Sequence, residues 1–140
     1  MYDSGVRAKL GLALLVLVGL VLVPVAGGAV GIKAVLKAPS TQPKIDAKWR
    51  YSITVTDLEG RPLRATVTAT LTDPFGGVHP VDYGPTQKPI VNFPFRGTFR
   101  DYVTFPPESR GFKLTLRWTV KAKIGAKTYR KTLTRKVTPG

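Results

Sequence analysis

Between Ile45 and Val55 every second residue is apolar. Ile45, Ala47, Trp49, Tyr51, Ile53 and Val55 alternate with Asp46, Lys48, Arg50, Ser52 and Thr54. Successive side chains of a strand point to opposite faces, so this period-2 pattern predicts a strand with one face buried. Asp57-Leu58-Glu59-Gly60-Arg61-Pro62 then supplies turn residues. The alternation resumes with Leu63, Ala65, Val67, Ala69 and Leu71 on one face and Arg64, Thr66, Thr68, Thr70 and Thr72 on the other. It returns from Phe112 to Ile124, where Phe112, Leu114, Leu116, Trp118, Val120, Ala122 and Ile124 share a face. Gly125-Ala126-Lys127 turns the chain into Thr128 to Thr138, with Tyr129, Leu133 and Val137 inward. Lys131 and Arg135 fall on that same inward parity. Inward charge blunts exposed strand edges, which places this strand at the edge of a sheet.

The middle of the chain is less regular. Asp73 to Gly77 reads as a turn, Val78 to Tyr83 as a short strand and Gly84 to Pro89 as a loop. Ile90 to Phe95 reads as an edge strand, since Pro89 and Pro94 cannot donate to a ladder. Thr98 to Phe105 is a further strand with Phe99, Val103 and Phe105 inward. Asp101 shares their parity, and a buried carboxylate is costly without a partner. A bulge that turns Tyr102 inward is the simpler expectation; if Asp101 stays inside, Arg96 or Arg100 is the expected counterion.

A different period governs the beginning. Leu10 to Ile32 runs 23 residues without a charge, enough to cross a hydrocarbon core as a helix of about 34 Å. Leu10 to Val23 also has the length of a signal-peptide apolar region, and Pro24 followed by Ala26-Gly27-Gly28-Ala29 fits a cleavage site. A membrane anchor and a cleaved export signal both follow from these residues. The expected organisation is a polar basic start (1–9), a transmembrane or signal helix (10–32), a linker (33–43) and a β-sandwich (44–138). Export puts the β-domain outside the cytoplasmic membrane, or secretes it if the segment is cleaved. Lys33, Lys37, Lys44, Lys48 and Arg50 after the run outnumber Arg7 and Lys9 before it, which argues for the opposite orientation.

About seven short strands with frequent turns, and no helical pattern after the first segment, give an all-β fold: a single antiparallel β-sandwich behind one hydrophobic helix. Val55-x-Asp57-x-x-Gly60-x-Pro62-x-x-Ala65-x-Val67 resembles the first corner of bacterial immunoglobulin-like modules of the invasin type. Pro107-Glu108-Ser109-Arg110-Gly111-Phe112-x-Leu114-x-Leu116 resembles the approach to the sixth strand of immunoglobulin-like and fibronectin type III-like domains. The resemblance covers most of residues 44–138, lacks the cysteine pair of antibody domains, and implies adhesion, spacing or assembly in a cell envelope. It transfers no site residues.

Catalytic chemistry finds no foothold in the sequence. There is no cysteine, which removes disulfides, thiolate metal sites and thiol catalysis. His79 is the only histidine and has no nucleophile or carboxylate at triad spacing. Asp57, Glu59, Asp73 and Asp82 would hold Ca²⁺ only if their turns met at one end of the sandwich; turn formation explains the same residues. The expectation is a non-enzymatic protein without catalytic residues, metal or cofactor.

Charge changes the picture more. The chain carries a formal net charge of +14, and from Thr41 onward 18 Lys and Arg face 7 Asp and Glu. From Gly111 to Gly140 there are nine Lys or Arg and no acid. Lys113, Arg117, Lys121 and Lys123 lie on the outward parity of one strand, and Arg130 and Lys136 on that of the next. A hairpin of the two presents a basic stripe suited to polyanions. Phe112, Trp118 and Tyr129 are assigned to the core side, which removes the aromatic platforms that single-stranded nucleic acid needs. The expected partners are the membrane through residues 10–32, anionic lipid or an acidic envelope polymer, and another protein; nucleic acid is disfavoured. A second reading is a pilin-like filament subunit, since a hydrophobic helix before a β-sandwich resembles archaeal pilins. A third is an accessory subunit of a membrane complex.

Overall fold

The computed structural model describes residues 30–140, so Met1 to Ala29, including most of the expected membrane or signal helix, lies outside the described residues. Ten strands follow in order: β1 (Ile32–Lys37), β2 (Lys48–Asp57), β3 (Arg64–Thr72), β4 (Val78–Pro80), β5 (Asp82–Tyr83), β6 (Lys88–Pro89), β7 (Phe93–Arg96), β8 (Thr98–Thr104), β9 (Leu114–Ile124) and β10 (Lys127–Val137). One 3₁₀ turn, Pro107–Ser109, precedes β9. The fold is all-β, with antiparallel pairing throughout the named strands. No helix among the described residues is long and apolar enough to cross a membrane.

A three-stranded sheet has the order β1-β2-β8. A larger sheet has the order β10-β9-β3-β4, with β7 pairing β3 beside β4, and β5 with β6 forms a small hairpin. The inward faces of the two main sheets share one core. Ile53 and Val55 of the smaller sheet and Val67, Leu116, Trp118 and Val120 of the larger are fully buried. Tyr51 meets Trp118 across the gap with ring centroids 4.9 Å apart. Tyr83, Phe93, Phe95 and Phe99 close one side as an aromatic cluster with centroid separations of 4.6 to 5.8 Å. The alternation read from β2, β3 and β9 therefore marks the core face correctly, and β10 does lie at a sheet edge.

Ile32 to Lys37, read as the end of the hydrophobic run and the start of a linker, instead forms β1. It pairs with β2 from Ile32↔Asp57 to Lys37↔Ser52, and Ile32 is buried. Its period was hidden because the apolar residues before it merge with its own inward positions. Past Pro39 the chain changes sheets. Thr138 N–H donates to Thr41 C=O at 2.8 Å, Gly140 N–H to Pro43 C=O at 3.0 Å, and Ile45 N–H to Gly140 C=O at 3.3 Å. These bonds set residues 41–45 parallel to 138–140 and leave Pro43 and Pro139 fully buried. Asp46, at φ 59°, ends that segment, so Ala47 is exposed and β2 starts one residue later.

Two turns use the same device. Asp57 Oδ1 accepts the N–H of Glu59 and Arg61, and Asp73 Oδ1 accepts the N–H of Phe75 and Gly77. In each turn a glycine three residues on adopts positive φ, Gly60 at 89° and Gly76 at 90°. Arg61 holds the Asp57 carboxyl below its ordinary range through its N–H and guanidinium; His79 Nε2, 2.7 Å from Asp73 Oδ2, does the same for Asp73. The turns lie at opposite ends of β3, a strand about 30 Å long. The carboxylates therefore cannot converge on one Ca²⁺, and no cluster of metal-binding side chains occurs among the described residues.

Asp101 does point inward and is 6% exposed. No bulge intervenes: β2 and β8 pair without a break from Lys48↔Thr104 to Thr54↔Thr98. Neither Arg96 nor Arg100 is its partner. Its Oδ2 accepts the Tyr51 hydroxyl at 2.9 Å and its Oδ1 accepts the Gly84 N–H at 2.8 Å. Burial raises the Asp101 pKa, opposed by those bonds and by the Tyr102 N–H. Burial, and next the Asp101 charge, push the Tyr51 phenol up. The buried Trp118 N–H has no hydrogen bond of acceptable geometry, yet it acts on Tyr51 in the opposite direction.

Tyr51→Phe removes the donor to a buried carboxylate oxygen and should cost about 1–3 kcal/mol in urea unfolding. An unchanged midpoint would mean that the bond contributes nothing. A raised carboxyl pKa means that the folded state binds the proton more tightly than the unfolded chain. Its contribution to stability therefore falls as pH rises above the ordinary value of 3.8. Asp101→Asn should remove that decline, so the variant gains on the wild type as pH rises above 3.8; parallel stability curves would contradict it.

Candidate basic face

The outward face of the larger sheet can be laid out row by row from its register. Lys121 stands between Arg130 of β10 and Thr66 of β3; Thr119 stands between Thr132 and Thr68; Arg117 between Thr134 and Thr70; Thr115 between Lys136 and Thr72. Lys123 is opposite Thr128. On the far side of β3, Arg64 is directly opposite Arg96 of β7. The face is built of threonines and cations, and neither its three long strands nor the short β7 contains an acidic residue. Threonine suits an outward strand position, because its branched carbon favours extended backbone and its hydroxyl keeps the surface polar.

The six cations named from the sequence do not form one cluster. Lys121, Lys123 and Arg130 gather at one end, where Arg64 and Arg96 join them. Arg64, Thr66, Pro94, Arg96, Lys121 and Lys123 are among the residues lining a shallow depression of about 710 Å³. Arg117 occupies the middle of the face. Lys113 and Lys136 lie at the other end, beside a smaller depression of about 280 Å³ that also touches Thr41 and Gln42. Sequence reasoning missed Arg64 and Arg96, because only the β3–β7 register brings them together. The signal available was the outward parity of Arg64 among the threonines of its strand.

Electrostatically the face is uncompensated. The ion pairs among the described residues join Arg61 to Asp57 and Glu59, and His79 to Asp73; none uses a cation of this face. Arg64 and Arg96 stand as direct cross-strand neighbours of like charge, an arrangement that destabilises a sheet. His79, on β4, is exposed and serves the Asp73 turn. Phe112, assigned to the core from its parity, is 42% exposed and meets Phe75, itself 85% exposed, edge to face at 6.2 Å. It lies before β9 begins, so strand parity does not govern it. The pair sits at the Asp73 end of the molecule, away from Arg64 and Arg96.

No family model matches the sequence, and no curated protein matches it. Among solved structures the chain is similar to a DUF4466 family protein from Parabacteroides merdae, with a TM-score of 0.43 and 15% identity. The match covers 79% of this chain and 46% of that protein, so this chain spans less than half of its length.

Repulsion between Arg64 and Arg96 should be measurable in the unliganded protein. Arg96→Gln should stabilise it by about 0.5 kcal/mol at low salt, with the gain shrinking as added salt screens the pair. A thermal melt in which Arg96→Gln lowers stability at low salt would show that the two arginines do not oppose one another.

Proposed function

We propose that this protein is a non-enzymatic cell-envelope module, membrane-anchored or exported, whose immunoglobulin-like domain binds polyanions on the outer face of its larger sheet. The observation that carries the reading is the Arg64–Arg96–Lys121–Lys123–Arg130 group on a threonine face without a single acid. Cations placed together without counterions cost stability in the free protein, and an anionic surface relieves that cost on binding.

Strand order supports the immunoglobulin-like assignment. Lettered in chain order, β1, β2 and β8 give A-B-E, while β10, β9, β3 and β7 give G-F-C-C′. Chain crossings between the sheets after β2, β7 and β8 make the Greek-key path of such sandwiches. The parallel pairing of residues 41–45 with 138–140 adds a first strand split between the two sheets. The hydrophobic run supports the envelope location: with Ile32 assigned to β1, Leu10 to Gly31 remains uncharged and still long enough to span a bilayer core.

The ligand class follows from the layout of the charges. A broad, shallow face with cations in rows suits a repeating anion, such as a carboxylated or phosphorylated wall polymer or a layer of anionic headgroups. Full-length protein in neutral detergent should bind immobilised heparin, used as a polyanion probe, with an affinity that falls steeply with salt. Lys121→Gln and Arg64→Gln should each weaken binding about 5-fold, on the scale of about 1 kcal/mol per surface cation facing an anionic layer. Binding that ignores both substitutions would reject this face as the site.

A further inference from the structure

The opposite side of the molecule carries a second group of cations that the basic stripe does not include. On the outer face of the smaller sheet, Ser52 of β2 is flanked directly by Lys37 of β1 on one side and Arg100 of β8 on the other. Arg50 lies two residues back on the same face of β2, opposite Tyr102. Lys37, Arg50, Ser52 and Arg100 line a depression of about 550 Å³, walled by Pro39 and Pro85. None of the three cations takes part in an ion pair among the described residues.

Tyr102 positions Arg50 of this group, with Lys48 beside it. Lys48 Nζ sits 4.5 Å from the centre of its ring, and the Arg50 guanidinium carbon 5.8 Å from it. Gly84 packs against the ring so closely that a Cβ there would fall 2.5 Å from two ring carbons. With Gly84 and two cations against it, the ring is a fixture for the charges and not a platform for a base. Asp101, at the edge of the same depression, has both oxygens engaged by Tyr51 and Gly84 and forms no ion pair with the cations. We propose that this depression is a phosphate subsite, taking a terminal phosphate or pyrophosphate group on Lys37, Arg50, Arg100 and the Ser52 hydroxyl.

The chemistry selects that class. Two guanidinium groups present paired N–H donors that match the oxygens of a phosphate, and the ammonium adds a third charge. Three cations around one hydroxyl fit a group carrying two or more negative charges better than a carboxylate or a phosphodiester, which carry one. A hydroxyl donor from Ser52 completes a cradle formed by three neighbouring strands. The subsite is on the sheet opposite the polyanion face and does not depend on that reading.

The test is titration of the full-length protein in neutral detergent with inorganic pyrophosphate at fixed ionic strength. Arg50→Gln and Arg100→Gln should each weaken binding about 10-fold or more, whereas Arg64→Gln and Arg96→Gln, matched in charge but on the other sheet, should leave it within about 2-fold. Ser52→Ala changes no charge and should weaken binding about 5-fold. Equal losses on both sheets would reduce the binding to net charge and overturn the subsite, as would binding untouched by Ser52→Ala and Arg100→Gln. Co-sedimentation with vesicles containing phosphatidic acid, set against vesicles containing phosphatidylglycerol, separates the sources. Pyrophosphate-competed binding to the first alone assigns a lipid phosphomonoester, and pyrophosphate binding without vesicle binding assigns a soluble phosphate. Heparin binding that survives Arg50→Gln while pyrophosphate binding is lost separates this subsite from the polyanion face.

Discussion

The contact between Tyr51 and Trp118 is where the two sheets of this molecule are held together. Tyr51 stands in the middle of β2 and Trp118 in the middle of β9, so their rings, tilted by 49° to one another, join the central strands of opposing sheets. The phenol then reaches Asp101, which ties β8 and the Gly84 loop to the same point. A buried carboxylate is expensive, and here the cost is met by two hydrogen bonds instead of a counterion. That choice matters for the surface, because Arg100 and Arg50 are left without a partner inside and remain available outside. One interior contact thus joins the two sheets, β8 and the Gly84 loop at a single point.

The remaining constraint is charge. A domain with so large an excess of Lys and Arg is pushed apart by its own surface. Against this stands a core with Trp118, Phe105, Ile53, Leu116, Val55, Val67 and Val120 fully buried. Each such side chain is worth about 1.5–3 kcal/mol on leaving water, while a like-charged cross-strand pair costs at most about 1 kcal/mol. The cations are also arranged and not scattered. On one sheet they stand in rows among threonines; on the other they crowd around Ser52. Extended rows suit an extended anion, and a compact group of cations suits a compact one.

What was legible in the sequence was what depends on neighbours along the chain. Strict alternation in Trp49 to Val55, Ala65 to Leu71 and Leu114 to Ala122 identified the inward faces, and Lys131 with Arg135 identified the edge. Asp101 has inward parity in the sequence, but the expected bulge set it aside, and its partners were not legible, since Tyr51 is fifty residues away in sequence and Gly84 offers only a backbone N–H. β1 was hidden by the apolar residues that run into it. Phe112 was misassigned because parity was carried past the start of its strand. Of the basic face, the β9 and β10 cations could be named from parity alone. Arg64 with Arg96, and Lys37 with Arg100, depend on pairings between distant strands that no local pattern reveals.

The rows of cations and threonines on the larger sheet are the proposed polyanion-binding face. Amide chemical-shift mapping of the full-length protein in neutral detergent, titrated with a short heparin oligosaccharide, tests it most directly. The largest changes are expected at Arg64, Thr66, Arg96, Lys121, Lys123 and Arg130, contiguous across β10, β9, β3 and β7. Changes of similar size spread over all exposed lysines and arginines, or centred on Lys33, Lys44 and Arg110, would contradict it.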